Sequence, residues 1–256
     1  MDEQLIWTVF LCFWLAVLGA VLGSFLDCAV SRWAEGQPPF RGRSRCAACG
    51  HPLGAGDLIP VVSFLLLRGR CRYCGGRIPR ECPAAELAGA LALGCLAVHF
   101  GPVPELGQWA VWAALLLALS LTDWTQRLIP DKLTLALLAN RAVWFAALGQ
   151  GSGAFRTAAA ACVVPAVLLA LVLLLEKRVG RVVMGGGDIK LLFALALYLS
   201  WAALLLALLA GCLLGLLWAA FARRRDAIPF GPFLAAGAVW TVCRGGAVLE
   251  WYFGLL

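Results

Sequence analysis

Charge is scarce in this chain: Asp, Glu, Lys and Arg make up 14% of its 256 residues, against 62% that are hydrophobic. A water-soluble domain of this length has too little interior to hide that balance, so a soluble fold is excluded. The ten-residue polar/apolar alternation of a membrane β-barrel is also missing. Histidine occurs twice, as His51 and His99, and neither adjoins a cysteine or serine in a nucleophile motif. No Walker or dinucleotide glycine pattern appears, so nucleotide hydrolysis and redox chemistry lose support. The chain opens MDEQ, without the basic stretch and small-residue cleavage site of a signal peptide, and the first apolar segment is expected to remain as a helix.

What the sequence has instead is apolar runs, near 4–26, 84–100, 108–122, 133–149, 157–175, 189–221 and 229–243. These approach or exceed the ~17–25 residues that cross a bilayer as a helix. Backbone groups in hydrocarbon must pair within their own segment, so the expected fold class is all-α, a polytopic transmembrane bundle of about eight helices. As one helix, 189–221 would be about 50 Å long, beyond a ~30 Å hydrocarbon core, and a reversal is expected near Ser200. Lys and Arg gather between Arg32 and Arg80, at Arg127 and Lys132, between Lys177 and Lys190, and at Arg223 to Arg225; only Arg141, Arg156 and Arg244 lie elsewhere. Such clusters mark cytoplasmic loops. They put both termini outside and 27–83, 123–131 and 176–188 inside. The net charge of +7 is therefore first a topology signal, and the same loops suit anionic membrane lipid better than nucleic acid.

Eleven cysteines are present. Cys12, Cys28, Cys82, Cys95, Cys162, Cys212 and Cys243 stand singly, mostly in apolar segments, where cysteine acts as a small hydrophobe. The other four form Cys46-x-x-Cys49 and Cys71-x-x-Cys74, both in the large cytoplasmic loop. Paired knuckles of this kind hold zinc, since a two-residue gap lets both thiolates face one tetrahedral ion, and the cytoplasm keeps thiols reduced. Four thiolates leave no open position for a catalytic water, so the expected role is structural, stabilising a loop too poor in apolar residues to fold alone. His51, beside a knuckle, is expected to be solvated or to support the ligands from outside rather than replace one. His99 is expected at the membrane interface.

Carboxylates are rare in membrane segments because a charge near hydrocarbon costs ~2.5 kcal/mol or more. Asp123 closes the third apolar helix in LTDWTQRLIPD, and Asp188 opens the sixth in MGGGDIKL. Both fall at expected cytoplasmic ends, so the two can meet at one depth. Adjacent carboxylates do not both ionise readily: one can activate water while its protonated partner donates to a scissile carbonyl, which is peptide hydrolysis without metal or covalent nucleophile. Gly185, Gly186 and Gly187 before Asp188 leave room for an extended substrate, or serve as a hinge or a simple turn. Asp188 could alternatively cap its helix, and Asp131 is expected to be an N-cap or a surface ion pair. The chain thus divides into a first transmembrane helix at 1–26, a cysteine/zinc domain at 27–83 and a transmembrane bundle carrying the aspartates at 84–256. A proton-coupled transporter with a regulatory zinc loop is the alternative reading and predicts carboxylates near the bilayer midplane; a non-enzymatic zinc-bearing assembly factor would not require both aspartates.

The ordered motifs resemble the type IV prepilin peptidases over nearly the whole chain. GSFLDCAVSR at 23–32, the pairs CAAC and CRYC, IPVVSFLLLRGRCRYCGGRIPRECPAAEL at 59–87, DWTQRLIPD, GGGD and IPFGPFLAAGA at 228–238 are similar to that family's segments in order. The resemblance implies that Asp123 and Asp188 cleave a short basic leader from prepilins or pseudopilins of type IV pilus or type II secretion systems. It also implies that the new N-terminus is methylated from S-adenosylmethionine, and that the enzyme sits in the bacterial inner membrane with its active site facing the cytoplasm. Asp27 replaces the family's usual asparagine, Cys82 stands where tyrosine is common, and the loop before Cys46 is short. These departures touch the methylation side, where no donor-binding residues are assigned. Oligomeric state is not legible in the sequence.

Overall fold

The structure, a computed structural model, describes residues 3–39, 41–149, 152–222 and 228–254. The expected cytoplasmic cluster Arg223 to Arg225, with Asp226, lies outside the described residues. Those described form helices and turns, with two isolated bridges and no strand. In chain order the helices are α1 (Glu3–Ala34), α2 (Val62–Leu66), α3 (Glu81–Phe100), α4 (Glu105–Gln126), α5 (Asp131–Ala147), α6 (Ser152–Ala161), α7 (Val163–Val179), α8 (Gly186–Ala196), α9 (Trp201–Ala222), α10 (Gly231–Trp240) and α11 (Gly246–Phe253). A π turn at Thr241–Gly245 joins the last two.

Six stretches among the described residues are long and apolar enough to cross a membrane: Leu5–Ala34, Glu81–Phe100, Glu105–Gln126, Phe155–Val179, Trp201–Ala222 and Gly231–Phe253. Adding α5 and α8 gives the eight segments suggested by the sequence. The apolar run 189–221 is broken at 197–200, where the reversal was expected, but α8 has 11 residues and at about 16 Å cannot cross alone. Large apolar side chains face outward, among them Phe221, Leu216 and Phe13, as lipid contact requires and water would not tolerate at this density.

Helix ends follow local chemistry. Gly101 and Gly180 close α3 and α7 at φ 67° and 69°, a left-handed exit that costs glycine nothing. Pro130, extended at φ −67° and ψ 131°, precedes α5, and Asp131 then opposes the positive helix start. Pro232 sits in the first turn of α10, where its missing N–H is no loss.

The chain separates into two compact units, Met1–Leu121 and Thr122–Leu256, with the boundary inside α4. In the first, α1 packs on α3 along small residues. Gly19 and Gly89 approach so closely that a Cβ on either would strike the other's carbonyl, and Gly23 lies as tightly on Ala85. Close backbone approach is what lets helices associate where lipid supplies no hydrophobic drive. In the second, a Cβ at Gly237 of α10 would stand 2.8 Å from the Gly211 nitrogen of α9. Leu191, Leu192, Leu195, Leu204 and Leu234 are fully buried there.

Candidate functional site

The aspartates lie in the second unit. Asp123 is in the last turn of α4 and 7% exposed. Its Oδ2 accepts the Gly231 N–H at 2.8 Å, so a carboxylate on one helix satisfies an unpaired donor at the start of α10, 108 residues later. A Cβ at Gly231 would lie 2.7 Å from that oxygen; only glycine lets the backbone come this near. Arg127 follows α4 at φ 53°, a left-handed conformation uncommon for a side-chain-bearing residue. Its N–H donates to the Asp123 carbonyl at 2.9 Å, and its charge acts on the Asp123 carboxylate.

Asp188 is partly buried in the first turn of α8. It does not cap the helix: Gly185 occupies the cap position, with no side-chain cap bond. Asp188 is near enough to Asp123 to feel its charge. The three glycines have different surroundings. Added carbon at Gly185 would meet Asp188 Oδ2 at 3.1 Å, at Gly187 it would meet Ile129 at 3.1 Å, and at Gly186 it would meet nothing within 4 Å. Ile129, buried in the loop after α4, therefore sets how near the Gly187 backbone comes to that loop. Asp131 makes the expected surface ion pair, with Lys190 at 2.7 Å. Sequence reasoning passed over Gly231 and Arg127; IPFGPF carried a signal, a glycine ahead of a first-turn proline, but nothing in it names a partner.

The four paired cysteines converge in the first unit, their sulfurs all within 4.8 Å of one another. Thiolates at the corners of a zinc tetrahedron lie about 3.8 Å apart, so the set fits that ion after small adjustment. The two knuckles repeat one geometry. Gly50 and Gly75, at φ 71° and 69°, donate to the Cys46 and Cys71 carbonyls, each at 2.9 Å, and isolated bridges pair Arg45 with Pro52 and Arg70 with Arg77. Backbone N–H groups of Cys49 and Ala48 favour the thiolate of Cys46 and hold it down to about 7. The His51 ring lies against that of Tyr73, centroids 3.8 Å apart and planes tilted by 35°. The Tyr73 hydroxyl donates to Asp57 at 3.1 Å. The Gly54 N–H, followed by Tyr73 and Arg72, keeps the Asp57 carboxyl below its ordinary value.

S-Adenosylmethionine is a different case, since its ribose hydroxyls call for a carboxylate and its adenine for a flat slot. A cleft of about 350 Å³ lined by Leu175, Val179, Arg181, Val182 and Val183 has neither. These residues do not fit the methyl donor.

Comparison with known proteins finds two successive family matches along the chain. Residues 17–100 match the bacterial peptidase A24 N-terminal domain, and residues 110–220 match the type IV leader peptidase family. A prepilin leader peptidase/N-methyltransferase of Burkholderia pseudomallei (strain 1026b) is 40% identical, the alignment covering 90% of this chain and 84% of the relative. Proteins with the same name from Bacillus subtilis (strain 168) and Pseudomonas aeruginosa (strain PAO1) are 31% and 34% identical, covering 93% and 92% of this chain and 96% and 91% of theirs. No solved structure matches. With likeness of this extent spanning both the thiol cluster and the aspartates, the chain belongs to the type IV leader peptidase family.

Proposed function

We infer that Asp123 and Asp188 are the carboxylate pair with which this chain hydrolyses its substrate. The chain is a multi-pass membrane enzyme that removes the leader from type IV prepilins and methylates the new N-terminus. The observation that carries the assignment of residues is the approach of two acids from separate helices, near enough for one to feel the other's charge. Repulsion between two such groups disfavours ionising both at once, so one tends to keep its proton. The ionised member takes a proton from water as it attacks the scissile carbonyl, and the protonated member donates to the carbonyl oxygen. Base and acid are roles of the pair rather than fixed properties of either residue. The Gly231 N–H holds one oxygen of Asp123 and so fixes the carboxylate's orientation. Gly185 and Gly186 are exposed and offer an extended peptide an unobstructed backbone beside Asp188.

Both acids stand at helix ends, Asp123 in the last turn of α4 and Asp188 in the first of α8. A site at the membrane rim suits a substrate with a basic leader in water and an apolar helix in lipid; a transporter relay would favour the midplane. In this reading the rim is the cytoplasmic one, 27–83 forms a cytoplasmic module, and Cys46, Cys49, Cys71 and Cys74 hold zinc, which supplies cross-linking rather than chemistry. S-Adenosylmethionine is the proposed methyl donor, with no residue assigned to it. The test is leader removal from a synthetic prepilin segment by purified enzyme. Asp123→Asn and Asp188→Asn should each lower the rate about 10³-fold or more while the helical content and melting profile stay unchanged. A doubly substituted enzyme that still released the leader would remove the basis of the assignment.

A further inference from the structure

We propose that α2 and the arginines after it form a foot on the membrane surface, with Ile59, Val62, Leu65 and Leu66 entering the acyl-chain boundary and Arg68 and Arg70 binding anionic lipid headgroups. The sequence LIPVVSFLLL at 58–67 is apolar but too short to cross a bilayer. Residues 62–66 fold as a short helical turn, and aliphatic side chains of the segment point away from the protein: Leu65 is 67% exposed and Leu66 78%, with Ile59 and Val62 near half. Within α2, Val62, Leu65 and Leu66 fall at three- and four-residue spacing, so they share one face. Phe64 turns the other way, against Gly69.

Depth comes from a hydrogen bond within the first unit. The Val61 N–H, immediately before α2, donates to Glu86 Oε2 at 2.6 Å. Glu86 is buried in the second turn of α3, a helix of 20 residues, about 30 Å, that just matches the hydrocarbon thickness. The first turns of such a helix lie at the headgroups, and the bond keeps α2 at their level. Val61 holds φ 61° to make this connection, a conformation that a β-branched residue rarely adopts.

Charge selects the occupant. From Leu58 to Arg80 the sequence has no Asp or Glu, but it has Arg68, Arg70, Arg72, Arg77 and Arg80, all exposed. Arg72 pairs with Asp57 at 3.0 Å, and Arg68 and Arg70 directly follow the apolar turn. An apolar wedge backed by arginine, continuous with a spanning helix, complements an anionic membrane surface. This proposal rests on the membrane reading and is independent of which residues cleave the leader.

The test places a dansyl-bearing amino acid at Leu66 in the full chain. The protein is reconstituted into phosphatidylcholine vesicles with or without phosphatidylglycerol and exposed to lipids brominated near the top of the acyl chain. Quenching should be about threefold stronger at Leu66 than at Gly50 on the first knuckle. The added quenching due to phosphatidylglycerol should be lost when Arg68→Gln and Arg70→Gln are combined. Deuterium uptake by the unsubstituted chain over 58–67 should also slow in phosphatidylglycerol nanodiscs relative to zwitterionic ones, a measurement that needs no altered protein. Equal and weak quenching at Leu66 and Gly50, with uptake indifferent to lipid charge, would overturn the proposal. So would protection that appears only when a prepilin segment is added, which would make the face a protein-binding one.

Discussion

At the scale of single residues, the hydrogen bond from Gly231 to Asp123 is the contact on which the aspartate site depends most directly. Gly231→Ala keeps the N–H but puts a carbon 2.7 Å from Asp123 Oδ2, so either the carboxylate or the start of α10 must move. A displacement approaching 1 Å at a reacting group can cost about 10²-fold in rate. The variant should therefore lose roughly tenfold to hundredfold in kcat, with little change in KM, and remain folded. Nothing near Gly231 in sequence hints at this partner, because hydrogen bonding across 108 positions has no periodicity to reveal it. Asp123 and Asp188 were legible as candidates for the opposite reason: a carboxylate at the edge of an apolar run is conspicuous wherever it points.

At the scale of elements, α8 raises the question of how a helix of about 16 Å keeps its place in a bundle. It is tied to α5 at both ends. Lys190 reaches Asp131 at 2.7 Å near the start. Just beyond the end, the Tyr198 hydroxyl donates to the Leu137 carbonyl at 2.7 Å and accepts from Asn140 at 3.0 Å. Arg141 Nε donates to the Leu197 carbonyl at 2.8 Å, satisfying an acceptor that a helix ending within lipid would otherwise leave bare. Arg141 stands about 15 Å along α5 from Asp131, so its charge needs such partners. Tyr198→Phe should cost about 1–2 kcal/mol through loss of the hydroxyl's bonds to Leu137 and Asn140, seen as a lower Tm in detergent. Arg141→Met should do at least as much, and Arg141→Lys should not rescue it, since a point charge does not reproduce the guanidinium's planar set of donors. The break of 189–221 was expected from its length alone; the polar ties that place α8 were not, because Asn140 and Arg141 look like blemishes in an apolar helix until Tyr198 is beside them.

At the scale of the whole molecule, two kinds of stability operate. The bundle is held by close helix packing, whereas in the proposed reading the loop between α1 and α3 is held by a metal at its thiol cluster. Replacing Cys46 and Cys49 together with serine should abolish zinc binding, measured by metal analysis of the purified protein, and should expose the loop to protease. Methylation is expected to fall at least as far as leader removal. Zinc should also leave as pH falls, because protons compete for the thiolates, and a chromogenic zinc indicator would follow its release. The Asp57 bridge should outlast it: its folded value lies below the ordinary carboxylate range, so its contribution is present above that range and is lost only as pH drops through the lower folded value.

Membrane residence, the all-α class, the approximate number of helices and the two knuckles were readable from the chain because each depends on neighbours a few positions apart. Run length must match hydrocarbon thickness, backbone groups in lipid must pair locally, and a two-residue gap brings two sulfurs to one side. Folding alone determined which distant groups meet: Gly231 with Asp123, Tyr198 with α5, and Glu86 with the turn at Val61. These contacts arise from helices packing side against side, where partners are chosen by shape and by the need to satisfy buried polar groups. Neither requirement leaves a repeating mark along the sequence.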